Sequence, residues 1–226
     1  MESIKTLPAS ESLQSRNAIR RVLLCCGFIS SLLYIGTDIL GSIIWEGYNY
    51  ISQTISELSS IGSPSRPIVV PLFLTYSFLV IGFGFGIRES SFRKRSVRIL
   101  GVLMIVYGIL CLSGPFVPMH QRGEELGLTD TMHILVTIIT VIFIFLIVGF
   151  GAASFGKAFR IYSIITILVI LGFGTLTGLD GPRLAANEPT PWMGLTERVN
   201  VYCFMIWVAF LSANLLRIEK VDKPID

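Results

Sequence analysis

Six runs of about 20 predominantly apolar residues, joined by connections too short to hold a second domain, account for nearly the whole of this 226-residue sequence. Each run is long enough to cross a bilayer as a helix. Lipid offers no partner for backbone N–H and C=O groups, so a chain built this way satisfies them within helices. The runs read as Val22 to Ile44, Pro67 to Ile87, Val97 to Val117, Thr131 to Ala152, Ile161 to Leu179 and Glu197 to Leu216. The expected fold is therefore all-α, a polytopic transmembrane bundle of six helices. Residues 1–21 and 218–226 are expected as polar tails around one domain spanning 22–217. The first apolar run is preceded by some twenty polar residues and lacks a small-residue cleavage site, so it reads as a retained first helix and not as a signal peptide.

Charge sets an expected orientation. Positive residues in short loops stay on the cytoplasmic side. With the N-terminus inside, only Arg66, Arg122, Arg183 and Arg198 of the 18 Lys and Arg residues fall in outer segments. Both termini are thus expected in the cytoplasm and the chain in the cell membrane, facing membrane lipids. The basic inner face, including Arg93-Lys94-Arg95, has no interleaved aromatic residues, so it reads as a topology and anionic-lipid signal with no nucleic acid partner.

Several chemistries find no motif. Gly82-Phe83-Gly84-Phe85-Gly86 lies inside an apolar span, so it reads as a close-packing surface, as do Gly149, Gly151, Gly172 and Gly174. A phosphate loop would follow a strand. Cys25, Cys26, Cys111 and Cys203 include no CxxC and offer no evident disulfide pair. His120, His133 and Asp180 are chemically suited to zinc, but no two histidines share a helix at ligand spacing, so no metal is expected. Neither histidine lies deep enough for haem, and no cofactor is expected.

Polar residues gather at the outer end. The first outer connection carries Trp45, Tyr48 and Tyr50, suited to interfacial anchoring. In it Ile51, Ile55 and Leu58 are spaced as on a short amphipathic helix, and Thr54 and Glu57 have capping-box spacing. Both histidines fall at or just beyond the second connection. The third, Asp180 to Arg198, is stiffened by Pro182, Pro189 and Pro191. Acidic residues outnumber the outer arginines, which suits cations or amine-bearing headgroups, although depletion of outer Lys and Arg gives the same balance.

Asp38 is the outstanding residue. It sits six residues inside the first span, about 9 Å deep at 1.5 Å per residue, where an unpaired charge costs about 2.5–3.5 kcal/mol. A partner is therefore expected beside it, from Arg198, His133, Tyr34 or a neighbouring threonine. Tyr34, Asp38 and Ser42 share one helix face; His133, Thr137 and Thr140 form a second stripe, and Thr177 with Asp180 a third. Lining one outward pocket and bonding between helices without a ligand are both open readings of these stripes. Ser56, His133 and Asp38 or Asp180 have the composition of a hydrolytic triad, without a nucleophile elbow.

The run Tyr50 to Gly62, the segment Pro118 to Gly123, Asp130 with His133, Phe159 to Ser163, and Thr190-Pro191-Trp192 through Gly194, Glu197 and Arg198 resemble the domain-of-unknown-function 998 family. The resemblance runs from the first span to Arg217. It implies a six-helix prokaryotic membrane protein of no established activity, and it marks Tyr50, Ser56, Glu57, His120, Arg122, Asp130, His133, Trp192, Glu197 and Arg198. Asp38 and Asp180 join the candidate list on burial and position alone. The leading functional expectation is an outward-facing polar pocket for a lipid headgroup or small polar ligand. A lipid hydrolase with His133 as base and a non-catalytic assembly partner are the alternatives.

Overall fold

The computed structural model describes residues 9–221, apart from 91 and 93. The described residues form no strand. The long helices are α1 (Ala9–Ile44), α2 (Arg66–Arg88), α3 (Arg95–Cys111), α4 (Leu128–Ser154), α5 (Lys157–Leu179) and α7 (Met193–Val221), with a single short turn, α6 (Gly181–Ala185), between α5 and α7. Six helices are long and apolar enough to cross a membrane. The first and last extend well past their apolar runs. Residues 9–21, expected as tail, continue α1, and α7 runs through 218–221; the remainder of both expected tails lies outside the described residues.

Each long helix packs against its neighbours in sequence, and α7 closes on α1, so the six form a ring. Short connections enforce this order by making successive helices antiparallel neighbours. The centre is filled by Tyr76, Phe83, Met104, Tyr107, Ile147, Phe204 and Trp207, all buried. Its polar atoms are paired: Tyr76 and Tyr107 share a hydrogen bond of 3.0 Å, and Trp207 Nε1 donates to Ser163 Oγ at 2.9 Å.

The glycine run in α2 is a packing surface on both sides. A Cβ on Gly84 would meet the Ile105 backbone nitrogen of α3 at 2.8 Å, and one on Gly86 would meet the Leu23 backbone of α1 at 2.9 Å. Gly149 and Gly172, in contrast, face open space and support no close approach. Trp207 abuts Gly151, and Asn200 abuts Gly174. All four cysteines are free.

At the end with short connections, Arg20 pairs with Glu219, tying α1 to α7, and Lys94 Nζ donates to the Ser154 carbonyl at 3.2 Å. The opposite end carries the three long connections, 45–65, 112–127 and 180–192. There the chain is irregular but tightly bonded.

Candidate functional site at the long-loop end

Three polar clusters tie the long connections to the helix ends. The deepest is centred on Asp38 of α1, which is fully buried, and Arg198 of α7, which is 2% exposed. The Arg198 guanidinium grips the carboxylate with two prongs, Nε to Oδ2 and Nη2 to Oδ1, each 2.9 Å. Arg198 is thus the partner that Asp38 requires. The remaining N–H groups donate to the carbonyls of Tyr50 (2.6 Å), Gln53 (2.8 Å) and Gly194 (3.1 Å) and to the Tyr48 hydroxyl (2.6 Å). Tyr202 and Tyr50 donate to Asp38 Oδ2 at 2.5 and 3.3 Å, and the Tyr50 ring lies 3.7 Å beneath the guanidinium. Every donor of the guanidinium is used. This cluster rivets the first long connection to α1 and α7.

Burial pushes the Tyr48 phenol above the ordinary tyrosine value, against the pull of the Arg198 guanidinium. It therefore stays protonated, donating to the Thr54 carbonyl at 2.7 Å.

The second cluster joins all three long connections. Arg122 grips Glu57 through Nε to Oε1 (2.6 Å) and Nη2 to Oε2 (3.0 Å) and reaches Thr190 Oγ1 and the Ser52 carbonyl, both at 2.7 Å. Glu57 also closes the expected capping box: its Oε2 accepts from Thr54 N at 2.6 Å, and Glu57 N donates to Thr54 Oγ1 at 3.3 Å. The amphipathic helix expected at 51–58 is reduced to the four-residue 3-10 turn Ser56–Ser59, because Glu57 and Leu58 are drawn into the protein while Ile51 stays exposed. Ile55 and Leu58 pack with Val69 of α2.

The third cluster contains Ser56, His133 and Glu197. His133 Nδ1 lies 3.0 Å from the Val117 carbonyl, and its Nε2 lies 3.2 Å from Ser56 Oγ. Ser56 Oγ is also 3.4 Å from Glu197 Oε1, while Glu197 Oε2 accepts from Ile55 N at 2.5 Å. Glu197 makes no ion pair among the described residues.

Other candidates lie apart from these contacts. His120 Nδ1 is 2.6 Å from Asp130 Oδ2, and Asp130 also accepts from Gly127 N, so this pair caps α4. Asp180 pairs with Arg183 of α6 at 3.6 Å; among the described residues it makes no hydrogen bond to Ser56, His133 or His120. Trp192 is 60% exposed. The expected stripes dissolve in part: Tyr34 packs its ring tilted against Phe73 and edge-on to Tyr76, Ser42 Oγ donates to its own helix at Ile39, and Thr137 faces outward. Thr177 bonds Thr196 of α7 at 2.9 Å. No three His, Cys, Asp or Glu side chains converge as a metal site among the described residues.

Tyr202 and Thr190 went unread as site residues. Tyr202 follows Arg198 by four and so shares its helix face, a signal that depends on which of the possible partners meets Asp38. Thr190 lies in a family motif, but nothing local marks its contact, which is made by a residue 68 positions away.

The model of the family described as a protein of unknown function, DUF998, matches residues 28–214, which takes in all three clusters. The chain belongs to the DUF998 family. No curated protein and no solved structure matches it. Family and helices together make this DUF998 member a multi-pass integral membrane protein, and the family description leaves its chemistry to be argued from the site.

Proposed function

We propose that this DUF998 protein binds an amine-bearing lipid headgroup at the outer end of its bundle, with Glu197 as the counter-charge and both termini in the cytoplasm. One observation carries the reading: the carboxylates of the neighbouring clusters are each matched by an arginine, and that of Glu197 is not. Asp38 has Arg198 and Glu57 has Arg122, whereas Glu197 has one backbone N–H and one distant hydroxyl. A carboxylate held near hydrocarbon without a counter-ion is costly, and a ligand ammonium relieves that cost while hydrogen-bonding to Oε1. Ser56 supplies a further polar atom beside Glu197 for the rest of a headgroup. The exposed apolar Leu195 and Trp192 at the same end of α7 suit the chains attached to it.

The test is lipid retention measured by native mass spectrometry, after the purified protein is exchanged into micelles doped with equal amounts of phosphatidylethanolamine and phosphatidylglycerol. Preferential retention of phosphatidylethanolamine, abolished in Glu197→Gln and preserved in Asp180→Asn, is the expected result. Equal retention of the two lipids by the unmodified protein would overturn the reading.

A further inference from the structure

We infer that Ser56 is a nucleophile and His133 its general base, so that the long-loop end cleaves a carboxylic ester of a membrane lipid. The choice of a lipid as substrate rests on the headgroup reading; the assignment of nucleophile and base rests on geometry alone.

The argument starts from the tautomer of His133. A carbonyl oxygen only accepts, so the 3.0 Å contact between Nδ1 and the Val117 carbonyl places the ring proton of the neutral imidazole on Nδ1. Nε2 then carries the lone pair. That nitrogen is the one facing Ser56 Oγ, at 3.2 Å. The relation is that of a nucleophile to its base, with a third group fixing the base from behind. Here the third group is a main-chain carbonyl held by the turn at the end of α3, where Val117 N donates to the Gly114 carbonyl at 3.2 Å.

A structural role explains the pair less well. Ser154, Ser163 and Ser77 satisfy their hydroxyls on carbonyls of their own helices at 2.7–2.9 Å. Ser56 makes no such bond. Its hydroxyl proton faces two acceptors, Nε2 and Glu197 Oε1, both at the long end of hydrogen-bond range. The side chain is partly exposed, as is that of His133, so neither is sealed in the core.

The reaction balances without a cofactor. Ser56 Oγ attacks the ester carbonyl carbon and its proton passes to His133 Nε2. The ester C–O bond breaks and the departing alcohol takes that proton, leaving an acyl group on Ser56. Water then attacks the acyl carbon, giving one proton to Nε2; Ser56 Oγ leaves with that proton and the carboxylic acid is released.

A fluorophosphonate probe tests this without a known substrate, because it forms an Oγ–P bond and expels fluoride only at an activated serine. The full chain in detergent micelles is treated with the probe, digested and mapped by mass spectrometry. Ser56 is expected to be modified well ahead of Ser52 and Ser59 in the same molecule, a comparison that does not depend on any variant folding. The rate is expected to fall roughly a hundredfold in His133→Ala, the scale of general-base assistance. Absence of modification at Ser56, or modification no faster than at Ser52, would overturn the proposal, as would an unchanged rate in folded His133→Ala. Lipid retention is measured separately, so phosphatidylethanolamine binding without Ser56 labelling leaves the headgroup site standing and removes the catalysis.

Discussion

Asp38 and Arg198, 160 residues apart in sequence, meet in a two-pronged ion pair with both N–O distances at 2.9 Å and neither side chain appreciably exposed. The pair lies where α1 meets the α7 helix that closes the ring, and Arg198 also holds three carbonyls, two of them from the first long connection. A lone charge at this depth destabilises the fold, whereas the matched pair with all donors used fixes which face of α7 meets α1.

Removing one partner is therefore expected to be far more damaging than the loss of a surface pair. Asp38→Asn leaves the guanidinium buried and uncompensated and should cost about 3–5 kcal/mol. Asp180→Asn breaks only a contact to the half-exposed Arg183 and should cost at most about 1 kcal/mol. Unfolding of the two variants in mixed micelles checks the ranking. Equal losses would mean that Asp38 is not acting as a buried charge.

Glycine substitutions should separate two kinds of position that look alike in sequence. A Cβ on Gly194 would stand 2.8 Å from the Gln53 carbonyl carbon, in backbone that the Arg198 network holds in place. Gly194→Ala should therefore destabilise by about 1–3 kcal/mol. Gly149, mid-helix in α4, has nothing within 4 Å, and Gly149→Ala should stabilise by about 0.5–1 kcal/mol through helix propensity. Opposite signs in thermal unfolding are the expected outcome.

What the sequence made legible follows from the range of the interactions involved. The spans could be read because a bilayer demands a local property, an unbroken apolar run, and the six helices follow it. The need of Asp38 for a partner was equally legible, since depth alone creates it. The pairing of Glu57 with Arg122 was not, although both residues were marked, because it depends on how three irregular connections cross above the bundle. The short 3-10 turn replaced the expected amphipathic helix for the same reason: tertiary bonds to Glu57 and Ile55 N outweigh a weak local periodicity.

Orientation is open to a direct check at sites chosen for exposure. Ser63, in the first long connection, is buried with its hydroxyl on the Leu58 carbonyl, so it makes a poor reporter, and Ser91 lies outside the described residues. Glu125 at the long-loop end and Lys157 at the opposite end are both exposed. In intact cells, Glu125→Cys should react with a membrane-impermeant maleimide and Lys157→Cys only after permeabilisation. The reverse pattern would place the termini outside.

The Tyr48 phenol gives the fold an alkaline weakness with a definite sign. Burial raises its folded value above the unfolded one, and the neutral hydroxyl both donates to the Thr54 carbonyl and accepts from Arg198. Below the ordinary tyrosine value of about 10 both states hold the proton, and this contribution to stability is fully present. As pH rises past about 10 the unfolded chain loses the proton first, so the unfolded state binds fewer protons and stability falls, by at most about 1.4 kcal/mol per pH unit for one group. Tyr48→Phe should be less stable at neutral pH, by about 1 kcal/mol for the lost hydrogen bonds. Its stability should also decline less steeply between about pH 10 and 11 than that of the unmodified protein. The difference between the two slopes isolates Tyr48 from the other tyrosines, which titrate in both proteins. Parallel slopes in denaturant unfolding across that window would show that the Tyr48 hydroxyl is not held protonated by the site.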